Sequence, residues 1–267
     1  VRNIRMPDAA SAHLLVFPLI APLTAFGLAA RHPFGTLTTP QQLLEDPLRV
    51  AGVRTYTRGD DPRHIHWKAS ARAGELRSKM YDSSSQYRLL IALNITTLPE
   101  PWMGVDPDIH ELMITAAASL ANWAIDEGYA VGLLANSLML AIGQENAIQD
   151  TPDPARRMQV SISGDAGQRE RLLEALARIV PYFGAPMDSV LAAEARVLTY
   201  GTTMVFIGAK RALHQDTVDE LLALRRRGFA VHLALAGDAE QAIAPDIAGL
   251  TVHDLGGREV WHALVRD

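Results

Sequence analysis

The densest group of chemically useful side chains lies in residues 59–76, which read GDDPRHIHWKASARAGEL. Two carboxylates, Asp60 and Asp61, stand within a few positions of two imidazoles, His64 and His66. Such a group could form a catalytic site or a metal site, or, together with the nearby cations, hold a phosphate. It could equally stabilise a turn, so its conformation must be considered first.

A helix is predicted over residues 62–73. Asp61 followed by a proline is a good N-cap and first helical residue, and Gly74 is placed to end the helix. Residues two apart on a helix point about 200° away from each other. His64 and His66 would therefore not share a metal ion, although they would on a strand.

The cations of this helix allow two interpretations. Arg63, Lys68 and Arg72 could offer a cationic surface to a phosphate, a carboxylate or an acidic protein. Alternatively, they could brace the helix against neighbouring carboxylates, with Ile65 and Trp67 in the core. Both interpretations stay open at this point.

An enzyme is the competing hypothesis. It would act on a phosphorylated or otherwise anionic substrate through Asp60, Asp61, His64 and His66, which would have to converge in a cleft. The sequence lacks the usual phosphate-loop, dinucleotide and serine-hydrolase motifs. No cofactor is predicted.

Composition excludes some functions. The chain has no cysteine, so disulfides and thiolate chemistry are ruled out. The net charge is -5, yet residues 54–79 carry seven Lys/Arg against three Asp/Glu. This basic island could attract an anionic partner, but it is too small for a general nucleic-acid binder.

The remaining pattern predicts the elements that must position these residues. Apolar runs of strand length at 87–94, 130–136, 203–209 and 230–237 alternate with helices at about 108–127, 168–180 and 215–227, the first of them capped by Asp108. This order predicts an α/β fold with a doubly wound, mostly parallel sheet and helices on both faces. We expect two domains, a β-rich or irregular segment at 1–84 and the α/β domain at 85–267.

One segment imitates a membrane span. Residues 12–30 contain no Asp, Glu, Lys or Arg and are long enough for a short transmembrane helix. Prolines at 18 and 22 would interrupt its backbone hydrogen bonds, so a buried strand and turn are the preferred interpretation.

The signature VRTYTRGDDPRHIHWKASARAGELRSKMYD at 53–82 closely resembles that of the domain of unknown function 58 family. The resemblance implies a von Willebrand factor A-like domain, in bacterial proteins that usually carry transmembrane helices nearer the N-terminus. It also implies an AAA+ ATPase of the MoxR type as partner, and a cytoplasmic position for this domain in a membrane-anchored protein. The signature residues that would bind a partner are Arg58, Gly59, Asp60, Asp61, Arg63, His66, Trp67, Lys68 and Arg72.

The same resemblance implies a metal-ion-dependent adhesion site, which this sequence has lost. Such sites use D-x-S-x-S after the first strand, because Mg²⁺ prefers hard oxygen ligands. Here the positions hold Asn94, Thr96 and Leu98. We therefore predict a degenerate site without metal; a cation held at Asn94 and Thr96 with help from other acids is the remaining alternative. The leading hypothesis is a non-enzymatic protein-interaction module.

Overall fold

The structure is a computed structural model that describes residues 15–30, 33–34, 50–57, 60–81, 87–139, 157–240 and 246–266. The chain divides into two compact units. The smaller one is Thr38–Tyr87, and the larger one combines Val1–Leu37 with Arg88–Asp267. This division differs from the predicted one, 1–84 and 85–267, because the first residues group with the larger unit.

The smaller unit is a pair of strands with a short helix between them. Strand β1 (Val50–Thr55) pairs antiparallel with β2 (Arg77–Tyr81), and helix α1 (Trp67–Ala73) lies between them in the sequence. The helix ends at Gly74, whose positive φ of 71° suits glycine, as predicted.

The predicted helix over 62–73 is wrong in its first half. Pro62–His64 form a 3₁₀ turn, and Ile65 is extended and pairs with Ser78 in an antiparallel bridge. A β-branched residue favours this conformation, and it buries the Ile65 side chain. His66 also donates its backbone N–H to the carbonyl of Arg77, so the helix starts only at Trp67.

The larger unit alternates strands and helices along the chain. Its strands and helices, in chain order, are β3 (Arg88–Leu93), α2 (Pro107–Asp126), β4 (Ala130–Ala135), β5 (Ser137–Met139), β6 (Met158–Ser163), α3 (Gln168–Ala177), β7 (Ile179–Phe183), α4 (Met187–Glu194), β8 (Thr202–Ala209), α5 (Gln215–Arg226), β9 (Ala230–Ala236), β10 (Asp246–Ile247), β11 (Leu250–Asp254) and α6 (Arg258–Arg266). One 3₁₀ turn precedes β3, at Leu23–Phe26, and another lies between β3 and α2, at Pro101–Met103.

Seven of these strands form one sheet in the order β10-β11-β9-β8-β3-β4-β6. The inner strands run parallel, while β6 and β10 pair antiparallel at the two edges. The predicted α/β class is confirmed, and all four predicted strands are present. Strands β5 and β7 form a separate antiparallel pair.

Helices cover both faces of the sheet, which explains why its strands are continuously apolar. In β3, Leu89, Ile91 and Leu93 pack in one core with residues of α2 and α3, whereas Leu90 and Ala92 pack in the other with residues of α4 and α5. Parallel strands buried in this way have no solvent face on which polar residues could alternate.

Helix α2 starts earlier than the sequence predicted. Its N-cap is Asp106, whose carboxylate accepts from the backbone N–H of Ile109, and not Asp108. Pro107 occupies the first helical position, where a missing N–H has no cost. The predicted helix at 168–180 is shorter than expected, because its last residues belong to β7.

The predicted buried strand near the N-terminus is absent: residues 15–22 form no strand, and Val16 and Phe17 are exposed. The residues after them pack within the larger unit. The backbone N–H of Ala21 donates to the Ser119 hydroxyl of α2, and Leu23 and Phe26 are buried in the core that contains α2. Within the described residues, no helix has both the length and the apolar character needed to cross a bilayer.

Helix α2 also buries a histidine that should make stability depend on pH. Burial lowers the pKa of His110 from 6.5 to about 4, and its Nε2 has no hydrogen-bond partner among the described residues. The unfolded chain takes up a proton between these pH values while the folded protein does not, so the free energy of unfolding falls as pH drops from 6.5 to 4. The loss is on the order of 3 kcal/mol.

Urea unfolding of wild type and His110→Leu across this pH range checks this expectation. The variant should have a flatter pH dependence, while His214→Gln, a change at an exposed histidine, should keep the wild-type slope. Equal slopes for wild type and His110→Leu would contradict the assignment.

Candidate functional site

The signature residues leave four large side chains exposed, which we call the signature surface: Arg63, Trp67, Lys68 and Arg72. Trp67 is 69% exposed, so the alternative interpretation that placed it in the core is wrong. No Asp or Glu among the described residues pairs with any of the three cations. Lys68 and Arg72 are four residues apart on α1, so they are neighbours on the helix surface.

The acids of the signature are used locally. Asp60 accepts from Arg54 Nη2 at 2.5 Å and from the backbone N–H of Thr57 at 2.9 Å. The Arg54 hydrogen bond and then the Thr57 bond lower the pKa of Asp60 below its usual value. Asp61 caps the 3₁₀ turn by accepting from the backbone N–H of Arg63. Neither carboxylate therefore braces the exposed cations.

His66 also has a local role, which sequence reasoning missed. Its Nδ1 accepts from the backbone N–H of Ala69 at 3.2 Å, so His66 is the N-cap of α1. Among the described residues, no group of three or more His, Asp or Glu side chains is arranged to hold a metal ion. The catalytic hypothesis on Asp60, Asp61, His64 and His66 loses its main support, because three of these four side chains serve the backbone. Arg58 and Gly59 lie outside the described residues.

A second candidate site lies in the larger unit, where β3 and β4 end. Asn94 and Asn136 follow these strands, and Asn136 Nδ2 donates to Asn94 Oδ1 at 2.9 Å. Asn136 Oδ1 accepts from the backbone N–H of Ile95, and Asn94 Oδ1 accepts from the backbone N–H of Thr96. The two amides thus satisfy the backbone at the point where the central strand leaves the sheet.

A cleft of about 210 Å³ opens beside this amide pair, and we call it the strand-end cleft. It lies at the carboxyl ends of β3, β4 and β8, where the chain order reverses across the sheet; this is the usual ligand position of a doubly wound fold. Residues from five segments line it: Asn94, Thr96, Pro101, Asn136, Pro186, Met187, Asp188, His214, Asp216 and Thr217.

The side chains at the three adhesion-site positions are poor ligands for the Mg²⁺ ion that such a site binds. Asn94 supplies one neutral oxygen, which already accepts two hydrogen bonds, and Leu98 supplies no oxygen. Mg²⁺ needs near-octahedral oxygen ligands, several of them charged or easily polarised. Of the three adhesion-site positions, Asn94, Thr96 and Leu98, Thr96 alone offers a hydroxyl.

The fold and the cleft together define the class of protein. It is an α/β protein with a doubly wound sheet and a cleft at the carboxyl ends of its strands. Comparison with family models finds that residues 52–148 match "Protein of unknown function DUF58". This match confirms the resemblance predicted from the sequence, and it contains both the signature surface and the first strand–helix–strand of the sheet. No curated protein matches the chain.

Solved structures similar to this chain are distant. The conserved hypothetical protein BatB from Bacteroides thetaiotaomicron is 13% identical with a TM-score of 0.40, over 68% of this chain and 100% of that one. An aerotolerance-related membrane protein from Bacteroides fragilis is 16% identical with a TM-score of 0.34, over 62% and 79%. The von Willebrand factor type A protein from Catenulispora acidiphila is 14% identical with a TM-score of 0.39, over 71% and 43%.

Sequence reasoning located Asn94 and Thr96 but missed the other half of the cleft. Asn136 ended a predicted strand, and this position was the available signal. Asp188 and Asp216 lie in the first turns of α4 and α5, far away in the sequence, and nothing in the local pattern connects them.

The amide pair gives a testable expectation for stability. Asn136→Asp keeps the shape and the acceptor for Ile95, but it replaces the donor to Asn94 by a charged oxygen in a position that is 1% exposed. The substitution removes the donor to Asn94 and introduces a buried charge that has no partner. We therefore expect the free energy of unfolding to fall by about 3 kcal/mol at pH 7.

Chemical denaturation measures this loss. Asn122→Asp, at a partly exposed asparagine of α2, is the matched control and should cost far less. Equal stability of Asn136→Asp and wild type would show that the amide pair does not hold the strand ends.

Proposed function

We propose that this chain is a non-enzymatic protein-interaction module that binds a partner through the signature surface. One observation carries the proposal: Arg63, Lys68 and Arg72 are exposed together with Trp67 and lack carboxylate partners among the described residues. Tryptophan and arginine are the residue types that most often dominate binding energy at protein interfaces.

The local hydrogen bonds of the signature support this proposal. Asp60 and Asp61 hold the turns, Gly74 ends the helix, and His66 starts it. The fixed backbone presents Lys68 and Arg72 from a rigid element, which lowers the entropy that binding must overcome. An acidic surface on the partner would complement these cations.

The finer proposal concerns the partner and its location. The family resemblance implies a MoxR-type AAA+ ATPase and an assembly or chaperone-like role. It also implies a protein anchored in a bacterial membrane, with this module on the cytoplasmic side.

Affinity capture from detergent-solubilised cells tests the signature surface. The full-length protein with Arg63→Ala, Lys68→Ala and Arg72→Ala should lose a partner that wild type retains, because the cations that complement it are gone. The matched control is Arg196→Ala, Arg226→Ala and Arg266→Ala, which removes three exposed cations from the larger unit and should retain the partner.

Thermal melting of all three proteins verifies that they are folded. Equal recovery by the signature variant and wild type would contradict binding at this surface. An AAA+ ATPase in the captured material would support the finer proposal, and its absence from a specific capture would contradict it.

We also propose that the adhesion-site position has lost its metal. Titration calorimetry of the wild type with Mg²⁺ and Mn²⁺ should give no binding heat at millimolar concentrations. The motif positions supply only one saturated amide oxygen and one hydroxyl, and among the described residues no group of three or more His, Asp or Glu side chains is arranged to hold a metal ion. The variant Asn94→Asp with Leu98→Ser restores the charged and hydroxyl positions and should bind more tightly. Binding heat from the wild type would support a cation at Asn94 and Thr96 instead.

A further inference from the structure

We propose that the strand-end cleft binds the side chain of a lysine or arginine from a protein partner, with the cationic group held by the carboxylates of Asp188 and Asp216. This inference rests on the proposed function, because it too assumes a protein partner. It adds a second contact surface and names the chemistry that the surface recognises.

The charges around the cleft favour a cation. Its lining contains two carboxylates and no Lys or Arg. Neither Asp188 nor Asp216 makes an ion pair within the described part of the chain; Asp188 accepts one long hydrogen bond, from the hydroxyl of Ser189. Both carboxylates therefore retain acceptor capacity for a charged ligand.

Two cations elsewhere at the carboxyl ends of the strands are already used. Lys210, directly after β8, donates to the carbonyl of Gly237 and pairs with Asp254 at 2.9 Å. Arg258 pairs with Asp106 and with Asp238. These contacts hold both side chains to other carboxylates and leave the two acids of the cleft uncompensated.

The two aspartates could also have a structural role, in which the dipoles of their own helices compensate their negative charge. Asp188 and Asp216 lie in the first turns of α4 and α5, where a carboxylate interacts favourably with the helix dipole. Each helix N-terminus contributes roughly half a positive charge, and each carboxylate contributes a full negative one. The cleft therefore keeps a net negative charge of about one unit after both dipoles are counted.

A second observation points to a ligand. Thr96 is 8% exposed and Thr217 is 2% exposed, and both line the cleft. The structure gives neither hydroxyl a hydrogen-bond partner among the described residues. Both residues are more than nine-tenths buried and line the cleft, and their hydroxyl oxygens can accept from an ammonium or guanidinium group.

The size of the cleft and its rim indicate a side chain of a protein. About 210 Å³ is less than the usual volume of a cofactor or drug-sized ligand site. Pro101 lines the cleft, and the next residues, Trp102 and Met103, are 81% and 57% exposed. Tryptophan is enriched at the hot spots of protein interfaces, and Trp102 can contact the apolar part of the same partner.

Titration of the isotope-labelled full chain, followed by NMR, tests this inference. The probes are N-acetyl-lysine amide and N-acetyl-arginine amide, and the control is N-acetyl-norleucine amide, which has a similar stem without charge. Either cationic probe should shift the side-chain amide signals of Asn94 and Asn136 in a saturable way. Norleucine should not.

Asp216→Asn is the variant for this experiment, since Asp216 is exposed and its amide keeps the shape. Loss of one charge-assisted contact should weaken the cationic probe about tenfold. Equal affinity in the variant, equal shifts with norleucine, or displacement of the probe by Mg²⁺ at low millimolar concentration would overturn the inference. The last outcome would identify a metal site.

The two proposals fail separately. The signature variant Arg63→Ala, Lys68→Ala, Arg72→Ala should still bind the lysine probe in the cleft. If the probe does not bind wild type while partner capture still depends on the signature surface, the cleft inference is contradicted and the proposed function is not. If the probe binds and partner capture does not depend on the signature surface, partner binding at the signature surface is contradicted and the cleft inference is not.

Discussion

Strand β3 imposes the main constraint on the larger unit, because it is paired on both sides and covered on both faces. Where it ends, Ile95 and Thr96 are buried and their backbone N–H groups lie beyond the paired part of the strand. Asn136 and Asn94 accept these two hydrogen bonds. The same two amides form one wall of the strand-end cleft, so the packing of the core and the chemistry of the cleft depend on one contact.

The two units use their charged residues in opposite ways. In the smaller unit, Asp60 and Asp61 hold turns, and the nearby cations stay exposed. In the larger unit, Lys210 is buried and paired, and the acids of the cleft stay without cations. A protein that leaves cations unpaired on one surface and carboxylates unpaired in another is suited to binding partners of both charges.

Several parts of the structure could be predicted from the sequence. Runs such as LLIAL and MVFIG are typical of a parallel sheet covered on both faces, so the class and four of the five inner strands followed directly. The inner strand β11, the edge strands β6 and β10, and helices α4 and α6 were missed. Strands β6 and β11 are partly exposed and β10 has two residues, which weakens their apolar pattern, while α6 packs on the core through the partly buried Val260, Trp261 and Leu264.

The sequence by itself determined the resemblance to the domain of unknown function 58 family, the α/β class, the amide at Asn94, and the cap at Gly74, because these depend on residue type and local spacing. Tertiary structure decided the rest. It interrupted the signature helix at Ile65, since burial and pairing with Ser78 outweigh local helix propensity. It also brought Asn94, Asn136 and Asp216 to one cleft, because the carboxyl ends of parallel strands meet at one edge however far apart their residues lie in the chain. Asp188 reaches the same cleft from helix α4, which follows the separate pair of β5 and β7.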